Sequence, residues 1–463
     1  MASKVILFFI IAVTAERASS LEGDTVAEAV NNTDLVNMQW GICLKCICKD
    51  DKVDCSNQEL TKYFSKDEWA ALKDFKPRTI DMSYNSFENI TVMAELPIEV
   101  LNLSRCGIQS IESHAFLSLQ NLKVLDLSHN KLTSSYGPQV DGYTRPRYKP
   151  LMSIEVLNLA YNDLHSFNLD LFNQITHPTE LDLSGNPMSN TNDDDDKFVE
   201  ERWARGTKIL HLRSCHLEAI NSLFLFSFGS VTRLDLSDNL LTVVPDGLGE
   251  LRGLLYLNLN QNPIRALVRD PMRPGYPYLT KLKELHMCNM PNLTEIGDGA
   301  MASLRSLEKL HLSFNPQLRR ISRTALVRHT GQDHESPMVK ELYMKSNALS
   351  ELDPKLLSRW DLLSAIDVSG NPFRCDCETQ WMVNNLVPIV DKINPNASID
   401  MVCSEPEEMR GITMRHLYEN NRIKRCGEEQ RPERHVFVPG GAMLTSISEL
   451  LLVCCLLFPL WWL

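Results

Sequence analysis

The chain has 463 residues, 43% hydrophobic and 23% charged, with a formal net charge of −12 and an isoelectric point near 5.5. That acidity, with no basic stripe anywhere in the sequence, argues against a nucleic-acid-binding surface. The length alone would suggest about three globular domains, but internal repetition overrides that prior.

Residues 1–20 read as a secretory signal. Lys4 supplies the positive charge, Val5–Val13 is a short apolar run, and small residues allow cleavage after Ala15 or Ser20. The alternative is an ordinary buried strand. The signal implies the secretory pathway, where disulfides form and persist. Residues 21–42 make an acidic, polar leader.

A cysteine cluster follows, Cys43-xx-Cys46-x-Cys48-x6-Cys55. A metal site is conceivable, but Cys-x-Cys is poor zinc spacing and the compartment is oxidising. The better reading is a disulfide-stapled cap over residues 43–77, covering the end of a repetitive array that has no neighbour there. Four cysteines leave three connectivities open.

From residue 78 to 373 one spelling recurs. Its clearest copy is Leu122-xx-Leu125-x-Leu127-xx-Asn130-x-Leu132. Twelve copies place an Asn/Cys slot at Asn85, Cys106, Asn130, Asn162, Asn186, Cys215, Asn239, Asn262, Met290, Asn315, Asn347 and Asn371. The pattern resembles the leucine-rich repeat, L-xx-L-x-L-xx-N/C-x-L. Each repeat is then one turn of a solenoid whose leucines stack on the next turn, because one turn cannot bury its own apolar face. A buried amide in the Asn slot satisfies backbone groups where the chain leaves the strand. Cys106 and Cys215 read as inert core thiols. Met290 departs from the pattern, and 288–293 reads as a longer, distorted turn. Insertions at 133–152, 189–206, 267–280 and 328–338 map to loops on one side of the coil. The run Asp193–Asp196 reads as a solvated loop. A calcium site is the sharper alternative, but the run lacks the Gly and Glu spacing of an EF-hand.

After the last copy comes Asn371-Pro372-Phe373-Arg374-Cys375-Asp376-Cys377, then Trp381, Cys403 and Cys426. This resembles the C-terminal cap of extracellular leucine-rich-repeat proteins, here 374–426, and the first cysteine cluster resembles their N-terminal cap. The resemblance covers residues 43–426 and implies the pairs Cys43–Cys48, Cys46–Cys55, Cys375–Cys403 and Cys377–Cys426. It speaks to fold and compartment and says little of function.

Residues 427–439 form a charged linker. Residues 440–463 combine Gly440-Gly441-Ala442, a spacer and an apolar run from Leu450 to Leu463. As a helix that run reaches about 21 Å, against a hydrocarbon core of about 30 Å. No Lys or Arg follows it. The pattern matches a GPI-attachment signal with lipid on Gly440 or Gly441. The alternative is a spanning helix from Ala442, which would place Glu449 inside the membrane at a cost. Five sequons, at Asn31, Asn89, Asn102, Asn292 and Asn396, are candidate glycan sites. Asn102 is awkward, because it lies within a repeat strand.

Strand side chains alternate, so the x positions of x-L-x-L-x are expected on the concave face. The column before the central one includes Val100, Val124, Val156, Ile209 and Tyr256. The central column carries Asp126, Asp182, Asp235, His211, His286 and His311, and the column after it is mostly Ser. One reading gives the Asp and Asn residues to solubility and inter-strand hydrogen bonds. The other makes Val100, Val124, Asp126, Val156, Asp182, Asp235 and Tyr256 a partner-binding groove, since apolar residues rimmed by polar ones mark interaction sites. His286 and His311 fall about 5 Å apart on adjacent strands, with Cys288 on the same strand and its thiol expected at the surface. No orienting third group or pocket accompanies them, so catalysis and metal binding are set aside.

The expected architecture is α/β: a right-handed solenoid of about twelve repeats, with a parallel concave sheet and disulfide caps at both ends. The expected role is cell-surface adhesion or recognition of a protein partner, possible homophilic contact or a transmembrane co-receptor included, on the outer face of the plasma membrane. The plan is similar to connectin-, chaoptin- and Nogo-receptor-like members of the family. The alternative is innate-immune recognition, surface-bound or secreted. No cofactor, metal, nucleic acid or catalysis is expected, because no phosphate-binding loop, Ser/His/Asp arrangement or zinc-protease motif is present.

Overall fold

The computed structural model describes residues 41–112, 114–133, 151–165, 175, 177–188, 204, 206–268, 277–330 and 333–420. The expected signal, linker and attachment signal, and the leader but for Gly41 and Ile42, lie outside the described residues. So do Asn31, the Asp193–Asp196 run, Cys426, Gly440 and Gly441.

The first cap is a tight antiparallel pair, β1 (Ile47–Lys49) and β2 (Lys52–Asp54). Disulfides join Cys43 to Cys48 and Cys46 to Cys55. Helix α1 (Lys66–Ala70) starts at a capping box in which Ser65 accepts from the Glu68 N–H and the Glu68 carboxylate accepts from the Ser65 N–H. Its Trp69 is fully buried, 5.6 Å from the Tyr63 ring and edge-on to Phe64 at 5.3 Å. This cluster gives the first repeat an apolar neighbour.

The chain divides into two compact units, one holding the described residues up to 241 with 245–257, the other 242–244 and those from 258 on. In the first unit β2 is followed by parallel strands β3 (Thr79–Asp81), β4 (Val100–Asn102), β5 (Val124–Asp126), β6 (Val156–Asn158), β7 (Glu180–Asp182), β8 (Ile209–His211) and β9 (Arg233–Asp235). Strand β10 (Tyr256–Asn258) comes next. The second unit holds β11 (Glu284–His286), β12 (Lys309–His311), β13 (Glu341–Tyr343) and β14 (Ala365–Asp367), again parallel and in register. Strands β3 to β14 coincide with the twelve sequence copies: seven in the first unit, four in the second, and β10 at the boundary between them. The insertion at 328–338 contains an antiparallel pair, Arg328–Thr330 with Asp333–Glu335.

Each repeat strand is three residues long and buries its middle residue. Leu101, Leu125, Leu157, Leu181, Leu210 and Leu234 have no exposed surface. The identical register of neighbours stacks them into one apolar column. The Asn slot seals the turn. Asn130 accepts from the N–H groups of Cys106 and Ile108 in the preceding turn, at 2.9 and 3.1 Å, and donates to the carbonyls of Leu103 and Leu127. Asn85, Asn239 and Asn371 repeat the arrangement. Each orphaned backbone group would cost about 1–3 kcal/mol, so one amide controls several such penalties. Cys106 and Cys215 keep part of this pattern: their thiols donate to the Met82 and Leu183 carbonyls at 3.0 and 3.3 Å. Both are fully buried, and burial raises their pKa to about 11 and about 12.

The turn at 288–293 is one residue longer between slot and leucine than Asn130-x-Leu132, with Met290 and Leu293 both buried. Met290 donates its N–H to Asn315, so the backbone half of the bonding survives without an amide in the slot.

The second cap rests on the last strand of its unit. Phe373 is fully buried, and Trp381 donates its ring N–H to the Leu352 carbonyl at 2.6 Å. Helices α2 (Val387–Ile393), α3 (Pro395–Ile399) and α4 (Met414–Glu419) complete it. Cys375 is bonded to Cys403. Cys377 is also disulfide-bonded, while its expected partner Cys426 lies outside the described residues. Among the described residues no helix is long and apolar enough to cross a membrane.

Candidate protein-binding face

Because the strands share one register, each side-chain column runs straight across the ladder. Val100, Val124 and Val156 are direct neighbours on β4, β5 and β6. All three are half-buried on the side away from the leucine core, as are Asp126, Asp182, Asp235 and Tyr256. Tyr256 is covered by the Arg233 guanidinium, 4.1 Å from the ring centroid, a cation–π contact that orders both side chains.

The central column does local work that sequence reasoning assigned differently. Its side-chain oxygens accept the N–H two residues ahead in the same turn: Asp126 from Ser128 at 2.8 Å, Asp182 from Ser184 at 2.9 Å, Asp235 from Ser237 at 2.9 Å. Asn102 and Asn158 do the same to Ser104 and Ala160. These are Asx turns, which bend the chain off the strand. The bonds lie within one repeat and do not run between strands.

The serine column is a second difference. Alternation predicts it at the surface, yet Ser83, Ser128, Ser184, Ser237 and Ser369 are buried. The strand ends two residues before the serine, and the Asx turn rotates that side chain inward. Cys288 occupies this column and is half-buried, with burial raising its thiol pKa. The expected surface-exposed thiol is therefore largely withdrawn.

A further column was not anticipated. The residue just before each Asn slot has a left-handed backbone, including Tyr84, Arg105, His129, Tyr161 and Gly185. Their side chains project and stack. Arg105 lies 5.5 Å from the Tyr84 ring centroid and 3.2 Å from His129 Nε2. The His129 and Tyr161 rings are stacked at 4.4 Å and 6°. A Cβ on Gly185 would lie 2.5 Å from the Tyr161 ring, so glycine there leaves room for the stack. Tyr84 is 59% and Tyr161 48% exposed. Burial and the Arg105 charge both lower the His129 pKa, keeping the ring a neutral acceptor. The sequence signal was present: the slot fixes the position, and four consecutive turns place a ring or guanidinium there.

His211 sits in the central column between Asp182 and Asp235, with Nε2 3.4 Å from Glu180. Burial alone would lower its pKa, but the Glu180 hydrogen bond and the charges of Asp182, Glu180 and Asp235 raise it overall.

In the second unit the same column holds rings. His286 and His311 stack at 4.0 Å and 8°, and Tyr343 continues the stack at 4.6 Å and 14°. His286 Nε2 lies 2.8 Å from Glu284 Oε1. Burial, then the neighbouring His286, lowers the His311 pKa to about 4.

Of the sequons, Asn89, Asn292 and Asn396 are exposed, whereas Asn102 is half-buried on β4. Its side-chain oxygen is engaged by Ser104.

Comparison with known sequences agrees with this geometry. The family model described as leucine rich repeat matches residues 97–140 and 205–264, which include β4, β5 and β8 to β10. Over those residues the chain carries leucine-rich repeats. Its repeats are similar to Tsukushi of Gallus gallus, 26% identical over 301 residues, covering 63% of this chain and 67% of that protein. They are similar to Podocan-like protein 1 of Mus musculus, 25% identical over 295 residues, 63% of this chain and 47% of that protein. A match to Toll-like receptor 9 of Felis catus is 29% identical over 216 residues but covers only 18% of that receptor. The leucine-rich-repeat frame accounts for the buried column. The exposed columns are where one such protein differs from another.

Proposed function

We propose that this leucine-rich-repeat protein acts outside the cell by binding a protein partner for adhesion or recognition, without catalysis. The observation that carries the reading is the coincidence of two surfaces in the same turns. Val100, Val124 and Val156 form an apolar stripe, and Arg105, His129 and Tyr161 of those turns stack into an exposed ladder. Aromatic and Arg anchors beside apolar area are the usual composition of energetic centres in interfaces. The sequence patterns at 1–20 and 440–463 support secretion and a lipid anchor at Gly440 or Gly441, with connectin-, chaoptin- or Nogo-receptor-like action as the specific form.

Two measurements test this. Full-length protein with an epitope tag behind the signal is displayed on cells and treated with phosphatidylinositol-specific phospholipase C. Release of the tag into the medium is expected; retention overturns the lipid anchor. Cell aggregation, or binding of the soluble ectodomain to partner cells, is then compared for wild type, Val124→Arg and Tyr161→Ala. Both variants are expected to lower binding at least tenfold, as for central interface residues. Unchanged binding by both sinks the assigned face. Asp126 and Asp182 are poor probes, because their carboxylates hold the turns.

The second reading is innate recognition of microbial products, favoured by the likeness to Toll-like receptor 9. Binding to microbial wall fractions with no cell aggregation would favour it.

A further inference from the structure

The ring stack of the second unit has a feature that stacking alone does not use. Glu284 and His286 are two apart on β11, so they share a face. The register sets His311 of β12 directly beside His286. One donor atom from each of the three lies within 4.8 Å of the others. His311 Nε2 is shielded from water and makes no hydrogen bond, although shielded ring nitrogens ordinarily find a partner. Lys309, opposite Glu284 in register, is drawn away to Glu341 at 2.9 Å, so the local ammonium is already paired.

We propose that Glu284, His286 and His311 bind a borderline divalent cation, zinc or one of its near neighbours, on the face of the sheet. Two imidazoles and one carboxylate are a three-ligand set that leaves one position open. Such donors favour zinc, copper or nickel over calcium or magnesium. Zinc at its usual ligand distances requires donor atoms about 3.4 Å apart, so on binding the Glu284–His286 hydrogen bond, 2.8 Å long, opens slightly and any wider separation, none above 4.8 Å, closes. Small side-chain rotations on an open face supply that movement. Tyr343 backs the outer side of His311 and limits how far its ring swings. Cys288 lies outside the donor set. The ion would tie two successive turns together on the face of the sheet, in addition to the Asn315 side-chain bonds to Met290 and Met287.

The test uses the full chain, purified without a histidine tag and stripped with chelator. Zinc chloride is titrated by calorimetry against wild type, His286→Asn/His311→Asn, Glu284→Gln, and a control, His129→Asn/His211→Asn, that leaves the cluster intact. Cobalt(II) is titrated in parallel, because its visible band reports a low-symmetry, four-coordinate environment. The expected result is one zinc per chain. Affinity falls at least a hundredfold in the double variant and about tenfold in Glu284→Gln, in the range seen when supporting or ligating groups are removed, with no change in the control. The metal-free variants should keep the wild-type fold, read as an unchanged circular dichroism spectrum, because the buried leucine column and the Asn315 bonds do not involve these side chains. Zinc binding that survives in the double variant, or none in wild type beyond weak binding shared with every variant, overturns the proposal.

Discussion

At the scale of single residues, the turn depends on two small polar side chains. Asn130 completes backbone groups on two successive turns. Asn130→Ala should lower unfolding free energy by about 3 kcal/mol or more, because several groups are orphaned together. Asn130→Cys should cost clearly less, since Cys106 shows that a thiol reaches the carbonyl. Denaturant midpoints measure both. Native Cys106 and Cys215 should resist a thiol reagent at mildly alkaline pH, because their raised pKa values leave little thiolate. Rapid labelling before unfolding would contradict their burial. His211 has a folded pKa above its ordinary 6.5. Its contribution is full below that value and is lost as pH rises through the folded pKa. The stability gap between wild type and His211→Gln should therefore shrink as pH rises above 6.5 and through the raised folded pKa, read from melting temperatures.

At the scale of the element, the repeating unit is a three-residue strand, an Asx turn and one left-handed residue. Gly185 has φ +71°, and a methyl group there meets the Tyr161 ring. Gly185→Ala should destabilise by about 1–2 kcal/mol from backbone conformation alone and should also displace Tyr161, visible as loss of its ring contacts to His129 in an NMR spectrum. The leucine period, the Asn slots and the cysteine clusters were legible in the sequence because each is a residue type tied to one burial state. Leu125 and Asn130 have few other places to go. The serine column was not legible, because alternation holds only while the chain stays extended. The strand ends at Asp126, and its carboxylate turns the chain before Ser128. The ladder of Tyr84, Arg105, His129 and Tyr161 escaped for a related reason. Its direction is set by a positive φ that none of those residue types announces.

At the scale of the whole molecule, each turn leans on its neighbours, so damage is expected to stay local and fade with distance. Hydrogen exchange of Asn130→Ala should speed up around Leu101–Leu103 and Leu157–Leu159, the strands flanking β5, and much less at Ile80. The ends need closure of another kind. In the first unit Trp69 and its ring cluster cover the first repeat, and in the second Phe373 and Trp381 belong to the cap on the last strand, each unit carrying disulfides in its cap. Reduction should therefore loosen the ends first. The protein-binding reading and the cation site belong to the exposed columns, which the repeat leaves free to vary.

The asparagine bonds also have a direction. Cys106 and Ile108 are completed by an amide 24 and 22 residues further along the chain, and Gln58 and Leu60 by Asn85 in the same way. A ribosome delivers the earlier turn first. Wherever the next slot is an asparagine, the newest turn therefore waits, with open N–H groups, for that residue to emerge. The growing edge closes when Asn371 arrives to complete Asn347 and Leu349. A pause or truncation just before such an asparagine would leave one unsealed turn, a built-in mark of an unfinished chain.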